Sequence, residues 1–232
     1  MLKGIDISSW QTGIELAKTM RDLDFCVVKA TEGLSFVETT CDPWIQQLIK
    51  LNKLWGFYHF ARNNDAEAEA KYFVDACKGY FGYGIPVLDT ETGQSGKWCE
   101  AFTHYVHDHT GVWPIVYMSS NSEQRSKFYG TDVPKTCGLW EAFYPDARAI
   151  DFNHIPPYEG GCSPWEFGAM WQFSAYGQLA GFSGAIDLDL AWMDAEGWLK
   201  YAQGENVQPT PSSKKLILEN NLVRVTLVLK YL

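Results

Sequence analysis

Long apolar runs are missing from these 232 residues. Stretches such as Gly184–Ile186 and Leu227–Leu229 fall far short of the ~20 residues a membrane-spanning helix needs, so no membrane insertion is expected. Basic charge is scarce: Lys and Arg number 19 against 28 Asp and Glu, a net charge of −9. No Lys/Arg cluster interrupts that deficit, which argues against a phosphate-binding face and hence against nucleic acid. The six cysteines (Cys26, Cys41, Cys77, Cys99, Cys137 and Cys162) form no C-x-x-C pair, and no His stands at zinc-finger spacing. No metal and no cofactor are therefore expected, and Cys26 and Cys77, in apolar periodic stretches, read as buried thiols. The G-x-G-x-x-G turn that the dinucleotide fold would require and the G-x-S-x-G elbow that serine-nucleophile hydrolases would require are both absent. Met1–Asp6 has no basic stretch followed by an apolar one, so no signal peptide is expected.

What is present is an ordinary globular composition, 46% hydrophobic and 20% charged, in a length that fits one large domain with a small appendage. Aromatic residues reach 15%, with 10 Trp. Their flat apolar faces with polar edges suit both a core and the stacking of sugar rings.

Apolar runs alternate with amphipathic stretches. Strands are expected over Leu2–Ile7, Phe25–Ala30, Leu54–Phe60, Ile85–Asp89, Pro114–Met118, Leu139–Phe143, Ala169–Phe173 and Ala185–Leu188. Helices are expected over Ile14–Asp22, from the Asp42-Pro43 start to about Leu51, after Asn64 or Asp65 along Ala66, Ala70, Phe73 and Cys77, and over Lys97–His109, Asn121–Phe128 and Ala191–Tyr201. Strand–helix alternation argues for a parallel sheet. Eight strands in about 200 residues argue for an α/β fold of the (β/α)8-barrel type, irregular, with its later helices shortened or missing. The barrel is assigned to residues 1–204. Gln208-Pro-Thr-Pro-Ser-Ser213 makes 205–213 a linker. Residues 214–232 form a short C-terminal tail, too small for its own core: the stub of a wall-binding module, an oligomerisation strand, or a strand laid on the barrel. The first 204 residues carry 15 basic and 26 acidic side chains; the rest carry four and two.

Barrel enzymes hold their chemistry at the carboxyl ends of the strands. Those ends offer Asp6, Glu32, Tyr58 and His59, Asp89 and Glu91, Tyr117, Trp171 and Gln172, and Asp187 with Asp189. Asp89 and Glu91 stand two apart on an extended chain and share a face, roughly 6–7 Å apart. Such neighbours push one pKa upward, leaving one ionised carboxylate beside one protonated acid, the pair that glycoside hydrolysis uses. In a closed barrel the first and last strands are neighbours, bringing Asp6 and Asp187 to face that pair. His59 reads more readily as a hydrogen-bonded wall residue than as a base, and Glu32 equally as an ion-pair partner or a functional group. Asp187 and Asp189 share a side, so spacing alone does not choose between them. His104, His107 and His109 spread around a helix surface rather than converging on a metal.

These same stretches resemble the glycoside hydrolase family 25 lysozymes, the muramidases of phages, bacteria and some fungi. The resemblance rests on Gly4-Ile-Asp-Ile-Ser-Ser-Trp-Gln11, Val28-Lys-Ala-Thr-Glu-Gly33, Gly56-Phe-Tyr-His-Phe60, Pro86-Val-Leu-Asp-Thr-Glu91, Met170-Trp-Gln-Phe173 and Ile186-Asp-Leu-Asp189, in the family's order across about residues 1–200. It implies an irregular β/α barrel and cleavage of the β-1,4 bond between N-acetylmuramic acid and N-acetylglucosamine, with peptidoglycan as partner and net retention. It also implies Glu91 as the acid, completed by Asp6, Asp89 and Asp187, with Asp187 preferred over Asp189. Glu32, Tyr58, His59, Tyr117, Trp171, Gln172 and Asp189 remain candidates for substrate binding. Asp89 is left as either a nucleophile or the residue that orients a reacting N-acetyl group. The alternatives are a non-catalytic glycan-binding barrel and a different acetamido-sugar glycosidase. The expected place of action is the cell wall, after synthesis in the cytoplasm and release, by a holin-type route if the source is a phage. Oligomeric state is left open. The stretch from Asp146 to Trp165, with Pro156-Pro157 and Gly160-Gly161, matches no part of this pattern.

Overall fold

The computed structural model describes residues 1–146 and 149–204; the linker and tail assigned above lie outside the described residues. The strands are β1 (Leu2–Ile7), β2 (Phe25–Glu32), β3 (Phe36–Val37), β4 (Leu54–Phe60), β5 (Ile85–Asp89), β6 (Ile115–Ser119), β7 (Leu139–Ala142), β8 (Met170–Gly177) and β9 (Ile186–Ala191). The helices are α1 (Leu16–Thr19), α2 (Cys41–Lys50), α3 (Ala66–Ala76), α4 (Gly96–Thr110), α5 (Ser122–Ser126), α6 (Val133–Thr136) and α7 (Ala195–Gln203). The sheet runs β1-β9-β8-β7-β6-β5-β4-β2-β3 and closes by pairing β1 with β2. Eight strands therefore make a barrel, and β3 is a short flap on β2. All eight expected strands are present. The later crossovers lose their helices as expected: α5 and α6 are one-turn pieces, and no described helix separates β7 from β8 or β8 from β9.

The last strand departs from the all-parallel expectation. β9 runs antiparallel to both β8 and β1. Only eight residues, 178–185, connect it to β8, and a parallel return needs a crossover of a dozen or more. Two helix starts also shift. α2 begins at Cys41, ahead of the expected Asp42 cap, because Pro is tolerated throughout a first turn whose N–H groups lack partners anyway. α7 begins at Ala195, capped by the Asp194 carboxylate on the Gly197 N–H at 2.8 Å, while Ala191 is still in the sheet, paired with Leu2 and Met170.

Strand alternation divides the side chains between two layers. Outward residues such as Ile5, Val28, Phe57, Leu88 and Val116 pack under the helices. Inward residues Phe25, Val27, Ile85, Val87, Ile115 and Trp140 fill the barrel, and Trp198 of α7 closes its amino-terminal end. The Trp198 ring lies 4.6 Å from Phe25. Phe25 fits inside only because its neighbour on β1 is Gly4; a Cβ there would sit 2.4 Å from the Phe25 ring. With aromatic bulk concentrated at the bottom, the inward residues toward the upper end are polar, and a cleft opens there. The six cysteines are free thiols, five of them buried, including Cys26 and Cys77.

Candidate active site

The cleft has a volume of about 370 Å³, and its walls include Asp6, Lys29, Tyr58, Asp89, Glu91, Tyr117, Tyr144, Gln172 and Asp187. That volume lies in the range of small-molecule sites. Asp6 and Asp187 are directly opposed in the β1–β9 pairing, so their side chains emerge on one face. Asp187 lies at the start of β9, not at the carboxyl end of a parallel strand as expected. Because β9 is inverted, its start reaches the same rim as the ends of the other strands.

Asp89 ends β5 and is buried. Thr90 then bonds to Tyr117 O through its N–H at 3.1 Å and its hydroxyl at 2.8 Å, extending the attachment to β6. This holds Glu91 on the cleft side, where its N–H donates to Asp89 Oδ1 at 3.2 Å. Glu91 stands at the rim, open to solvent.

Gln172 organises the floor. Its Nε2 donates to Asp6 Oδ2 at 2.6 Å, while its Oε1 accepts from Tyr117 OH at 2.8 Å and from Tyr144 OH. Two hydroxyl donors fix the amide's orientation, so Asp6 faces an N–H and acts as an acceptor. Asp189 lies deeper, buried, accepting from Trp140 Nε1 at 3.1 Å.

Burial raises the pKa of every one of these acids. Asp89 is pushed well up by burial, then by the charge of Glu91; Asp6 by burial, then by Asp187; Asp189 by burial, then by Asp6 and Asp187. Asp187 is raised to about 6 by burial and by Glu91. Glu91 is raised by lost hydration, and Lys29 opposes the shift. The expected repulsion within Asp89/Glu91 exists, but dehydration is the larger cause. Lost hydration and mutual repulsion thus favour the protonated forms of these acids.

Four candidates lie outside the cleft lining: Asp189, buried beneath it, and His59, Trp171 and Glu32. His59 points outward, fully buried, with Nε2 2.9 Å from Glu69 and Nδ1 2.8 Å from the Thr31 hydroxyl. Burial lowers its pKa. Glu69 is raised by burial, but bonds from His59 and from the Arg62 and Asn64 N–H groups outweigh this and hold it low. Neutral His59 donating to ionised Glu69 is a structural pair that pins the loop after β4. Trp171 also faces outward, buried, donating to Phe143 O at 2.8 Å. Glu32 sits beyond the cleft wall, paired with Lys29 at 2.5 Å and Arg62 at 2.7 Å. Tyr58, Tyr117 and Gln172 line the cleft as expected. Lys29, Trp10 and Tyr144 also line the cleft and are not among the candidates that the strand ends single out. Of these, Lys29 follows the same period-two alternation as Asp6, whereas Tyr144 lies on a loop that no periodicity describes.

A closed barrel with a carboxylate-lined cleft at its upper rim is the arrangement of a glycoside hydrolase. Residues 5–182 match the family described as Glycosyl hydrolases family 25, and the chain belongs to that family. An N,O-diacetylmuramidase of Arthroderma benhamiae is 27% identical over 212 residues, covering 80% of this chain and 84% of the relative. Lysozyme M1 of Streptomyces globisporus is 28% identical over 197 residues, covering 80% and 66%. The crystal structure of a Streptomyces coelicolor bacterial lysozyme superposes with a TM-score of 0.73 at 23% identity, covering 88% of this chain and 98% of that one.

Proposed function

We propose that this chain is an N-acetylmuramidase that hydrolyses the β-1,4 bond between N-acetylmuramic acid and N-acetylglucosamine in bacterial peptidoglycan. The observation that carries this reading is the convergence of Asp6, Asp89, Glu91 and Asp187 on one sugar-sized cleft in a member of a glycoside hydrolase family. The relatives' names, muramidase and lysozyme, supply the substrate class.

Glu91 is the general acid. It stands at the rim, within reach of a bound glycan, and lost hydration favours its protonated form. As the C1–O bond breaks, its electron pair stays on the leaving oxygen, which takes the Glu91 proton. The ionised members of Asp6, Asp89 and Asp187 stabilise the positive charge left on the sugar ring. In that first step the opposite face of C1 is taken by a nucleophile, the Asp89 carboxylate or the N-acetyl oxygen that Asp89 orients; Glu91, now a carboxylate, then removes a proton from the water that displaces it, and the two inversions give net retention. Trp10, Tyr58 and Tyr144 offer ring faces to the sugars.

Clearing of a bacterial wall suspension tests the assignment. Glu91→Gln keeps the shape and removes the proton, and clearing should slow by at least ~10²-fold, the scale of general acid catalysis. Equal clearing by both proteins refutes Glu91 as the acid.

A further inference from the structure

One buried acid near the cleft has no part in the steps above. Asp189 is 0% exposed. In the β1–β9 pairing it stands opposite Gly4, two residues below the Asp6–Asp187 pair, and on its other side it stands opposite Gln172 of β8. Asp189 and Asp6 therefore share the inner face of the barrel. Gly4 has no side chain, so nothing from β1 comes between the two carboxyls, which are hydrogen-bonded to each other. Asp189 Oδ1 accepts from Trp140 Nε1 at 3.1 Å. Its Oδ2 meets no N–H or hydroxyl donor among the described residues.

Ionised carboxyls only accept, so two of them bond to each other only through a proton that one retains. Position assigns it to the deeper one. Asp6 lines the open cleft, whereas Asp189 is sealed beneath it, and a charge costs more the further it lies from water. Bond lengths agree. Gln172 Nε2 reaches Asp6 Oδ2 at 2.6 Å, short, as bonds to an ion are, while the 3.1 Å from Trp140 to Asp189 is the length of a neutral bond. The ionisable groups that act on Asp189 are Asp6 on β1, Asp187 on β9, Cys26 on β2 and Tyr144 on the loop after β7. None of them supplies a positive charge, and Trp140 and Gln172 are neutral.

We propose that Asp189 is a positioning residue for the hydrolysis: it keeps its proton throughout and donates it as a hydrogen bond to Asp6, so that Asp189 and Gln172 together hold Asp6 as an anion facing the sugar. This rests on the muramidase reading above through the role given there to Asp6. Asp189 itself touches no sugar and gives up no proton. It behaves as a side-chain amide would, with one oxygen accepting from Trp140 and one donor turned to Asp6. An Asn at this position offers the same two groups in the same shape; an Ala offers neither.

Two variants and two readouts test it. Reducing ends released from purified peptidoglycan are measured for wild type, Asp189→Ala and Asp189→Asn, with a thermal melt to confirm that each is folded. Asp189→Ala should lower kcat roughly tenfold, the worth of one charge-assisted bond, with KM retained. Asp189→Asn, which keeps the donor, should recover most of that loss. The second readout is the infrared difference between wild type and Asp189→Asn at pH 8, above the titration of Asp187 at about 6. It should carry the C=O band of a protonated carboxyl that the variant has lost. A carboxylate band in its place overturns the proposal, and does so even if Asp189→Ala fails to fold. Equal losses in the two variants, or full activity in Asp189→Ala, also overturn it. If wild type releases no reducing ends, the muramidase reading has failed, while the infrared band still decides whether Asp189 holds the proton.

Discussion

Asp6 and Asp187 lie directly across from one another on antiparallel strands, two acids in a pairing where like charges are destabilising. Burial and the charge of Glu91 raise the Asp187 pKa to about 6, against an ordinary value of 3.8. The folded state therefore binds more protons than the unfolded chain between about pH 4 and 6, and stability falls as pH rises through that window. Asp187→Asn should match wild type near pH 4 and exceed it by about 1–2 kcal/mol at pH 7, while losing wall-clearing activity. Melting temperature measured against pH checks this; a variant no more stable than wild type at pH 7 contradicts it.

Lys29 is the cation that opposes the upward shift of Glu91. Without it the Glu91 anion is less favoured, so the proton is held to higher pH. Lys29→Met should move the alkaline limb of the kcat/KM profile upward, because the acid stays protonated longer. A limb that stays in place, or moves down, separates this limb from Glu91.

His59 touches Glu69, Thr31 and the rings of Phe73 and Phe102, all outside the cleft. His59→Phe removes a buried donor from an ionised Glu69. Urea unfolding should show a loss of about 2–3 kcal/mol, with kcat per folded molecule retained. A collapse of kcat at unchanged stability would return His59 to the site.

Much of the barrel and part of the cleft are legible in the sequence. The strands were legible because their apolar runs were short and regularly spaced, and the acids because they fell at strand ends. Tyr58 and Gln172 belong to the cleft, and His59 and Trp171 do not, because neighbours on a strand point to opposite sides; strict use of that rule would have separated them. Asp187 reached the rim through an inverted strand; the expected strands Ala169–Phe173 and Ala185–Leu188 leave only residues 174–184 between them, short for a parallel crossover. The Glu38 bond to Ser9 and the links from Gln172 to Asp6 and Tyr144 span 29, 166 and 28 residues. They depend on loop paths and barrel closure, which local pattern does not encode.

In the proposed reaction Glu91 donates a proton to the glycosidic oxygen on the reducing side of a muramic acid. Mass analysis of fragments released from purified peptidoglycan tests it most directly. Wild type should release fragments with muramic acid at the new reducing end, and Glu91→Gln should release at least ~10²-fold less in the same time. Fragments ending in reducing glucosamine, or equal release by Glu91→Gln, would contradict the account.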